Sequence, residues 1–194
     1  MRYAADHKPR TRERILKAAG AMLRTGGLAG ASVDKIMARA GLTVGGFYAH
    51  FRSKDALVAE ALGAALGESQ ALWLAGLEAI SGPEFVQAFV RRYLNRGHRD
   101  QPEAGCPLAP ALSELARAAE PTRHAIAGDL ERLIAAVALQ MPGRDESERR
   151  AETLAILALC FGGIQLARAV GGTPLSDEVL RAGRAIAGKL SQPA

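Results

Sequence analysis

Apolar residues return every three to four positions along most of this chain, whereas no stretch alternates apolar and polar residues as a half-buried strand does. The first repeat of this kind joins Ile15, Ala18, Ala19, Met22 and Leu23. Glycine and proline interrupt the repeats at intervals, and both residues commonly mark helix ends. The 194 residues therefore predict an all-α protein of about nine helices.

The N-terminal third is predicted to fold as a three-helix bundle that leads into a long fourth helix. Ser32, Thr43 and Ser53 stand where the side chain of an N-cap residue can accept a hydrogen bond from the first turn of the next helix. The predicted bounds of the four helices are residues 11–25, 33–40, 44–51 and 54–80.

The rest of the chain is predicted to form a larger helical domain. Ser81 and Glu84 have the spacing of a capping box at the start of the fifth helix. A loop is expected from Gly97 to Gly105, because it carries two glycines and a proline. The last four helices are predicted to end near Ala118, Met141, Val170 and Leu190.

Charge is distributed unevenly along the chain. Residues 1–55 contain eleven Lys and Arg against four Asp and Glu, a net charge of +7, while the whole chain has a net charge of +5. A basic N-terminal third on a slightly acidic remainder favours a polyanionic partner such as nucleic acid. The alternative is a solvated basic tail.

Cysteine usage and hydropathy predict a cytoplasmic protein. Cys106 and Cys160 do not form a disulfide framework and are typical of a reducing compartment. The first sixteen residues lack the apolar core of a signal peptide. The longest apolar run, residues 154–164, is shorter than the roughly 20 residues that a membrane span needs.

The stretch GLTVGGFYAHFRSKDAL, residues 41–57, breaks the helical preference of the chain. Gly45 and Gly46 stand in the first turn of a predicted helix, where each glycine costs about 1 kcal/mol relative to alanine. Two short helices joined by a tight turn predict a helix-turn-helix, whose second helix enters the DNA major groove. Glycines in that helix would let its backbone approach a phosphate or a base edge closely.

Other side chains of the same stretch suit DNA. Thr43 and Tyr48 carry hydroxyl groups, Lys54 can meet a phosphate as a point charge, and Val44 can contact a thymine methyl group. Phe47 and Phe51, four residues apart, are expected to face the core of the bundle. The alternative is a plain helical hairpin with a half-buried tyrosine.

Residues 10–62 closely resemble the DNA-binding domain of the TetR/AcrR transcriptional regulators. The resemblance rests on G-x-x-x-x-S-V-x-x-I-x-x-x-A-G, which begins at Gly27, and on G-x-F-Y-x-H-F-x-S-K-x-x-L, which begins at Gly45. It implies a DNA-binding domain of residues 1–55 and a ligand-binding and dimerisation domain of residues 56–194. The contacts to DNA that it implies are Ser32, Thr43, Val44, Gly45, Gly46, Tyr48, His50 and Lys54.

Two positions differ from many members of the family. Val44 stands where many carry Lys, Arg or Gln, and Gly46 where many carry Ser or Thr. The chain therefore offers fewer side chains that can read bases, and its operator sequence does not follow from the resemblance.

The resemblance also implies a homodimer formed by the last two helices. Residues 146–170 are apolar around most of the predicted helix, and such a helix needs burial on several sides. A second subunit can supply that cover; the alternative is an internal helix of one chain. The candidate interface residues are Leu157, Phe161, Ile164, Gly183, Ile186 and Leu190.

A ligand cavity in the C-terminal domain is the third implication. The candidate lining residues are Trp73, Phe85, Phe89, Tyr93 and Cys106. Few charges lie among the aromatic residues, which favours an apolar ligand. Each of them, taken singly, fits a core residue better than a ligand contact, but together they predict an apolar cavity. Cys106 precedes Pro107 at a predicted helix start, where a thiolate is stabilised, so a redox or electrophile sensor is an alternative to an inert thiol.

Residues for catalysis or metal binding are not apparent in the sequence. The four histidines, His7, His50, His98 and His124, lack metal-ligand spacing, and no nucleophile elbow or phosphate-binding glycine loop occurs. We therefore expect no cofactor, and a small helical enzyme or ligand carrier is the weaker alternative. The favoured prediction is a homodimeric repressor that binds a near-palindromic operator and is released by a small inducer.

Overall fold

The computed structural model describes residues 7–190, with the side chains of His7 and Leu190 left aside. Every regular element in this range is helical. The α-helices are α1 His7–Gly30, α2 Val33–Arg39, α3 Lys54–Leu74, α4 Gly82–Tyr93, α5 Arg96–Asp100, α6 Leu108–Leu115, α7 Glu120–Ala138, α8 Glu146–Ala169 and α9 Pro174–Leu190. Two 3-10 segments, Val44–Ala49 and Pro102–Ala104, complete the described elements.

The chain divides into two compact units. The first unit runs to Gly67 and includes Cys106–Gly128, whereas the second contains Glu68–Gly105 and the chain from Asp129 onward. Helices α3 and α7 therefore each continue from one unit into the other. The predicted division into a DNA-binding domain of residues 1–55 and a ligand-binding domain of residues 56–194 concerns function, and it remains a prediction.

The first unit is built on a small apolar core under α1, α2 and the 3-10 segment. Its most deeply buried side chains include Ile15, Leu23, Ile36, Phe47 and Leu57, each at most 1% exposed. Ser32 caps α2 as predicted, since its hydroxyl accepts a hydrogen bond from the Lys35 N–H at 3.4 Å. Helix α6 packs on α1 in the same unit.

In the second unit, α9 packs against both α4 and α8. Asp177 of α9 joins it to α5, because its carboxylate accepts hydrogen bonds from the guanidinium groups of Arg96, at 2.5 Å, and Arg99, at 2.8 Å. The hydrogen bond from Arg96 and, as a second cause, the one from Arg99 lower the pKa of Asp177 to about 2. The first turn of α9 is thus held by two cations from α5.

The predicted helix of residues 54–80 ends earlier, at Leu74. The guanidinium of Arg92 donates hydrogen bonds to the carbonyls of Trp73 and Ala75, at 2.9 and 2.6 Å, and so binds the carbonyl end of α3. Gly76 then takes a left-handed φ of 73°. The hydrogen bonds from Arg92 of α4 fix this end of α3, and the hydrophobic periodicity of the sequence does not show such a contact.

Two other predictions about local structure are wrong. Ser81 is the N-cap residue of α4 but makes no side-chain cap hydrogen bond, so the capping box is not formed. The predicted loop of residues 97–105 contains most of α5 and a 3-10 turn. Asn95 caps α5 by accepting a hydrogen bond from the His98 N–H at 2.9 Å.

Of the described helices, α8 alone is long and apolar enough to cross a membrane by length and composition. One side of it is buried, including Ile156, Cys160 and Ile164, and it packs on α9 and α4 within the second unit. It therefore has the position of a core helix in a helical domain.

Candidate nucleic-acid interface

The segment Val44–Ala49 separates its side chains into an inner and an outer set. Phe47 and Phe51 are 1% and 4% exposed, and their rings stack with centroids 5.9 Å apart. The prediction that these two side chains face the core is confirmed. Tyr48 is 76% exposed and Val44 is 42% exposed, so both are open to a partner.

This segment is a 3-10 helix rather than the predicted α-helix. Thr43 occupies the N-cap position but makes no side-chain cap hydrogen bond, and its carbonyl accepts from the Gly46 N–H at 3.1 Å. The Thr43 hydroxyl is therefore not used to close the first turn. Thr43 is itself exposed, while His50, which ends the segment, is half-buried.

The structure gives no internal reason for glycine at positions 45 and 46. Among the residues that the structure describes, a Cβ built on Gly45 would have no atom within 4 Å, and one on Gly46 would lie 3.9 Å from the Met37 Cε, an ordinary contact. Neither residue has a positive φ. Alanine would thus fit the fold at both positions, so neither close packing nor a left-handed backbone explains these glycines.

The basic residues of the N-terminal third fall into two sets. Arg14 donates a 2.6 Å hydrogen bond to the Ala40 carbonyl at the end of α2, and Arg24 donates to the Ala65 carbonyl at 3.2 Å. Arg12 pairs with Glu60, which raises the pKa of this guanidinium, and its charged group also lies 4.7 Å from the centre of the Phe51 ring. These three arginines brace the fold.

The other set is exposed and can neutralise phosphates. Its members are Lys8, Arg10, Lys17, Lys35, Arg39, Arg52 and Lys54. Lys54 begins α3, and its ammonium group lies 3.5 Å from the Leu28 carbonyl, at the turn that leads into α2. Exposed Lys and Arg beside a helix-turn-helix are the groups that bind the DNA backbone.

The predicted cavity residues lie in the second unit, except Cys106. Phe85, Phe89 and Tyr93 form a row of stacked rings along α4, and all three are at most 2% exposed. Trp73 lies against Tyr93, with ring centroids 4.9 Å apart. These aromatic residues are brought together, and three of them are packed core.

Trp73 also lines a cleft of about 490 Å³ in the second unit. Polar side chains, including Arg92, Asn95 and Gln101, line the same cleft. The Trp73 indole nitrogen is buried and has no hydrogen-bond partner among the described residues. The cleft therefore combines an aromatic wall with groups that can donate hydrogen bonds.

His98 is a further residue of this cleft that sequence reasoning did not identify as a lining group. Burial lowers its pKa to about 4, and the nearby positive charge of Arg168 acts in the same direction. Its Nδ1 lies 2.8 Å from the Tyr93 carbonyl, which can only accept, so Nδ1 carries the proton of the neutral ring. His98 is therefore an uncharged, oriented group at neutral pH.

Both cysteines are buried, and neither forms a disulfide bond within the described residues. Cys106 is 1% exposed and lies two residues before α6, which begins at Leu108, while Cys160 is fully buried in α8. Among the described residues, no group of three or more His, Cys, Asp or Glu side chains could hold a metal ion.

Most of the predicted interface residues are buried within the chain. Leu157, Phe161 and Ile164 are at most 7% exposed, and a Cβ on Gly183 would lie 2.5 Å from a Leu94 methyl group. Ile186 is 46% exposed, and the side chain of Leu190 lies outside the described residues.

Apart from Ile186, sequence reasoning missed the exposed apolar residues of these two helices. Leu154 and Leu166 of α8 are 45% and 54% exposed, with the exposed residues Ala158 and Gly162 between them at steps of four. Leu175 of α9 is 51% exposed. The step of four was visible in the sequence, but the face that α9 covers was not.

Comparison with known proteins gives a consistent result. Residues 15–61 match the family model of bacterial regulatory proteins, tetR family. A TetR transcriptional regulator from Chloroflexus aurantiacus J-10-FL is 23% identical, with a TM-score of 0.70 and 95% of each chain covered. A TetR-family regulator from Agrobacterium tumefaciens is 20% identical, with a TM-score of 0.73 and coverage of 93% of this chain and 98% of that one.

The reduced form of NemR from E. coli is also similar, at 21% identity and a TM-score of 0.72, with 92% of this chain and 95% of that chain covered. At these identities the likeness concerns the fold. No curated protein matches the sequence.

The all-helical fold and the exposed turn before α3 define a helix-turn-helix, DNA-binding regulator. The family model matches that same region, and the solved structures share the fold over 92–95% of the chain. Residues 15–61 therefore match the DNA-binding region of the tetR family of bacterial regulatory proteins, and the chain has the fold of solved TetR-family regulators. The proteins matched here are regulatory proteins rather than enzymes.

Proposed function

We infer that this regulator is a cytoplasmic homodimeric repressor, which binds a near-palindromic operator and is released by a small, largely apolar inducer. The observation that carries the DNA-binding part is the bare backbone at Gly45 and Gly46, which the fold itself does not require. Glycine there lets the 3-10 segment approach a base edge or a phosphate more closely than a residue with a Cβ.

The proposed contacts follow from exposure. Tyr48, Thr43 and Lys54 are exposed and can donate hydrogen bonds to phosphates or base edges, and Val44 offers an apolar contact to a thymine methyl group. Ser32 and the half-buried His50 belong to the same proposed set. In this proposal Lys54 provides a positive charge for a phosphate, and Gly45 and Gly46 let the backbone approach the DNA closely.

The homodimer is supported by apolar residues that this chain leaves uncovered. Leu154, Leu166, Leu175 and Ile186 are all about half exposed on α8 and α9. Exposed large apolar side chains on neighbouring helices are typical of an interface. The predicted residues Leu157, Phe161, Ile164 and Gly183 would then support these helices from their buried side.

The inducer is proposed to bind the second unit at the cleft beside Trp73. The aromatic wall favours a flat apolar body, and Arg92 and Gln101 favour at least one hydrogen-bond acceptor on it. Helix α3 passes from the first unit into the second, so a ligand that prefers one position of α3 would shift the population of DNA-binding conformers.

Thiol sensing through Cys106 remains the alternative signal. One solved structure of similar fold is named in its reduced form, and Cys106 of this chain is not part of a disulfide within the described residues. The side chain is only 1% exposed, however, so an oxidant would need an opening motion to reach it. A Cys106→Ser variant that still responds normally to the inducing signal rules this alternative out.

The direct test is a mobility-shift titration on DNA from upstream of the protein's own coding region. We expect a specific complex whose affinity falls steeply with added salt, because phosphate contacts release counterions. A matched DNA of scrambled sequence provides the control. Equal affinity for both DNAs would contradict an operator-specific regulator.

A further inference from the structure

The turn between α1 and α2 is held by a side chain that comes from far along the chain. The backbone of α1 is interrupted at Gly27, which has φ 60° and ψ −157°. Immediately after it, the Leu28 N–H donates a 2.6 Å hydrogen bond to Oε2 of Glu114, and the Ala29 N–H donates a 2.9 Å hydrogen bond to Oε1. One carboxylate thus binds two consecutive backbone groups.

The interruption at Gly27 explains why these N–H groups need an outside acceptor. N–H groups at the start of a helical turn have no carbonyl one turn earlier to bind, and a carboxylate is the strongest acceptor available to them. Glu114 lies on α6, which packs on α1 in the same unit. The hydrogen bonds therefore fix the turn relative to α6.

Gly27 is required for this contact on two grounds. Its backbone lies in a region that is essentially restricted to glycine. In addition, a Cβ at this position would lie 2.2 Å from the Glu114 Oε2 and 3.1 Å from the Pro110 carbonyl oxygen, so the carboxylate could not stay where it is. Gly26, its neighbour, has open space around its Cβ position.

The same turn leads directly into the DNA-binding elements. Ser32, three residues after Ala29, caps α2, and α2 packs on the segment Val44–Ala49. Lys54, a proposed phosphate contact, lies 3.5 Å from the Leu28 carbonyl. The peptide groups around Leu28 are therefore held on one side by α6 and on the other by a residue of the proposed DNA interface.

We propose that Glu114 is a positioning residue for DNA binding, which sets the placement of α2 and the segment Val44–Ala49 relative to α6. Loss of its two hydrogen bonds releases the turn. This role rests on the DNA binding inferred above and requires no inducer.

The first test is Glu114→Gln, with Ser113→Ala on the exposed side of the same helix as the matched control. The amide retains the size of the side chain, but its NH₂ group opposes one backbone N–H instead of accepting from it. At a temperature where all variants are fully folded, we expect about tenfold weaker operator binding by Glu114→Gln and wild-type binding by Ser113→Ala.

A spectroscopic signature separates positioning from general stability. The amide proton shifts of Leu28 and Ala29 should change in Glu114→Gln and remain in Ser113→Ala. A variant that loses thermal stability but keeps wild-type operator affinity while folded would overturn the proposal. If the wild-type protein binds no operator at all, the DNA-binding function fails instead, which is a different outcome.

A double-mutant cycle with Gly27→Ala provides the second test. If both changes act through one contact, the double variant binds the operator no more weakly than Gly27→Ala alone. Additive losses would show that Glu114 and Gly27 act independently and would contradict the proposed contact. Glu114→Gln keeps the proposal testable even if Gly27→Ala does not fold.

Discussion

The first unit contains two pairs of adjacent glycines, Gly26-Gly27 and Gly45-Gly46, which look alike in the sequence but differ in their surroundings. Gly27 has a left-handed φ of 60°, and a Cβ there would lie 2.2 Å from Glu114. Gly45 and Gly46 have neither a positive φ nor a neighbour that excludes a Cβ. The fold explains the first glycine, whereas the second pair has no such explanation in the fold and is proposed to serve DNA binding.

This difference gives a general way to separate folding constraints from binding constraints. A glycine that internal packing requires should lower stability when it is replaced. A glycine that only the partner requires should lower binding and leave stability intact or improved. The predictions that follow test each side of that contrast.

The largest effect is expected for Gly27→Ala. The change places a side chain in a backbone conformation that disfavours it and displaces Glu114, so we expect the free energy of unfolding to fall by about 2–3 kcal/mol. Gly26→Ala is the matched control, since a helical position with open space should gain up to about 1 kcal/mol. Urea denaturation of both variants measures the difference; equal stabilities would remove the contrast.

Gly105, in the second unit, is another glycine that internal packing requires. A Cβ on Gly105 would lie 2.6 Å from the His98 ring. The same tight packing keeps His98 neutral, with a pKa of about 4 against an ordinary 6.5. The unfolded chain therefore takes up a proton as the pH falls below about 6.5, while the folded chain resists protonation until about 4.

The stability that His98 contributes is present above pH 6.5 and is lost on acidification. Between pH 7.5 and pH 5 we expect a loss of about 2 kcal/mol from this group. His124→Gln, at an exposed histidine, should leave the loss unchanged. Chemical denaturation at both pH values checks this, and a flat profile would mean that His98 is not held neutral by packing.

Lys54→Ala removes an internal contact and a proposed DNA contact together. The Lys54 ammonium group lies at the Leu28 carbonyl and is proposed to bind a phosphate. We expect operator affinity to fall by about five- to tenfold and the salt slope to decrease by about one counterion per half-site. Lys189→Ala, an exposed lysine of α9, is the control. An unchanged salt slope would show that Lys54 does not meet a phosphate.

The smallest effect is expected for Val44→Ala. The side chain is 42% exposed and offers only an apolar contact, so we expect operator affinity to fall by about two- to fivefold with no change in stability. Substituting uracil for thymine in the operator should remove the same energy from the wild type. If replacing thymine by uracil costs Val44→Ala as much affinity as it costs the wild type, the thymine methyl group contacts a residue other than Val44.

Local signals in the sequence predicted most of the helix-turn-helix region, although not the side-chain cap at Thr43, which is not formed. The Ser32 cap, the inward Phe47 and Phe51 and the position of the turn all follow from residues within a few positions of one another. The 3-10 form of the segment Val44–Ala49 did not follow, because its difference from an α-helix lies in backbone hydrogen bonds rather than in side-chain spacing.

Contacts between distant residues account for what the sequence did not predict. Arg92 determines the end of α3, and Glu114 binds the turn at Leu28, 86 residues earlier. Periodicity showed that α8 is apolar on most sides, but it could not show which side the chain itself covers. Likewise, a count of charges could not separate Arg14, which binds a carbonyl inside the fold, from Lys54.

The most direct test of the account is the double variant Gly45→Ala/Gly46→Ala, measured for operator affinity and for stability in parallel. Two methyl groups fit the fold, so we expect an unchanged or slightly higher free energy of unfolding together with at least about tenfold weaker operator binding. Wild-type affinity in this stable, dimeric variant would contradict the claim that the bare backbone there serves close approach to DNA.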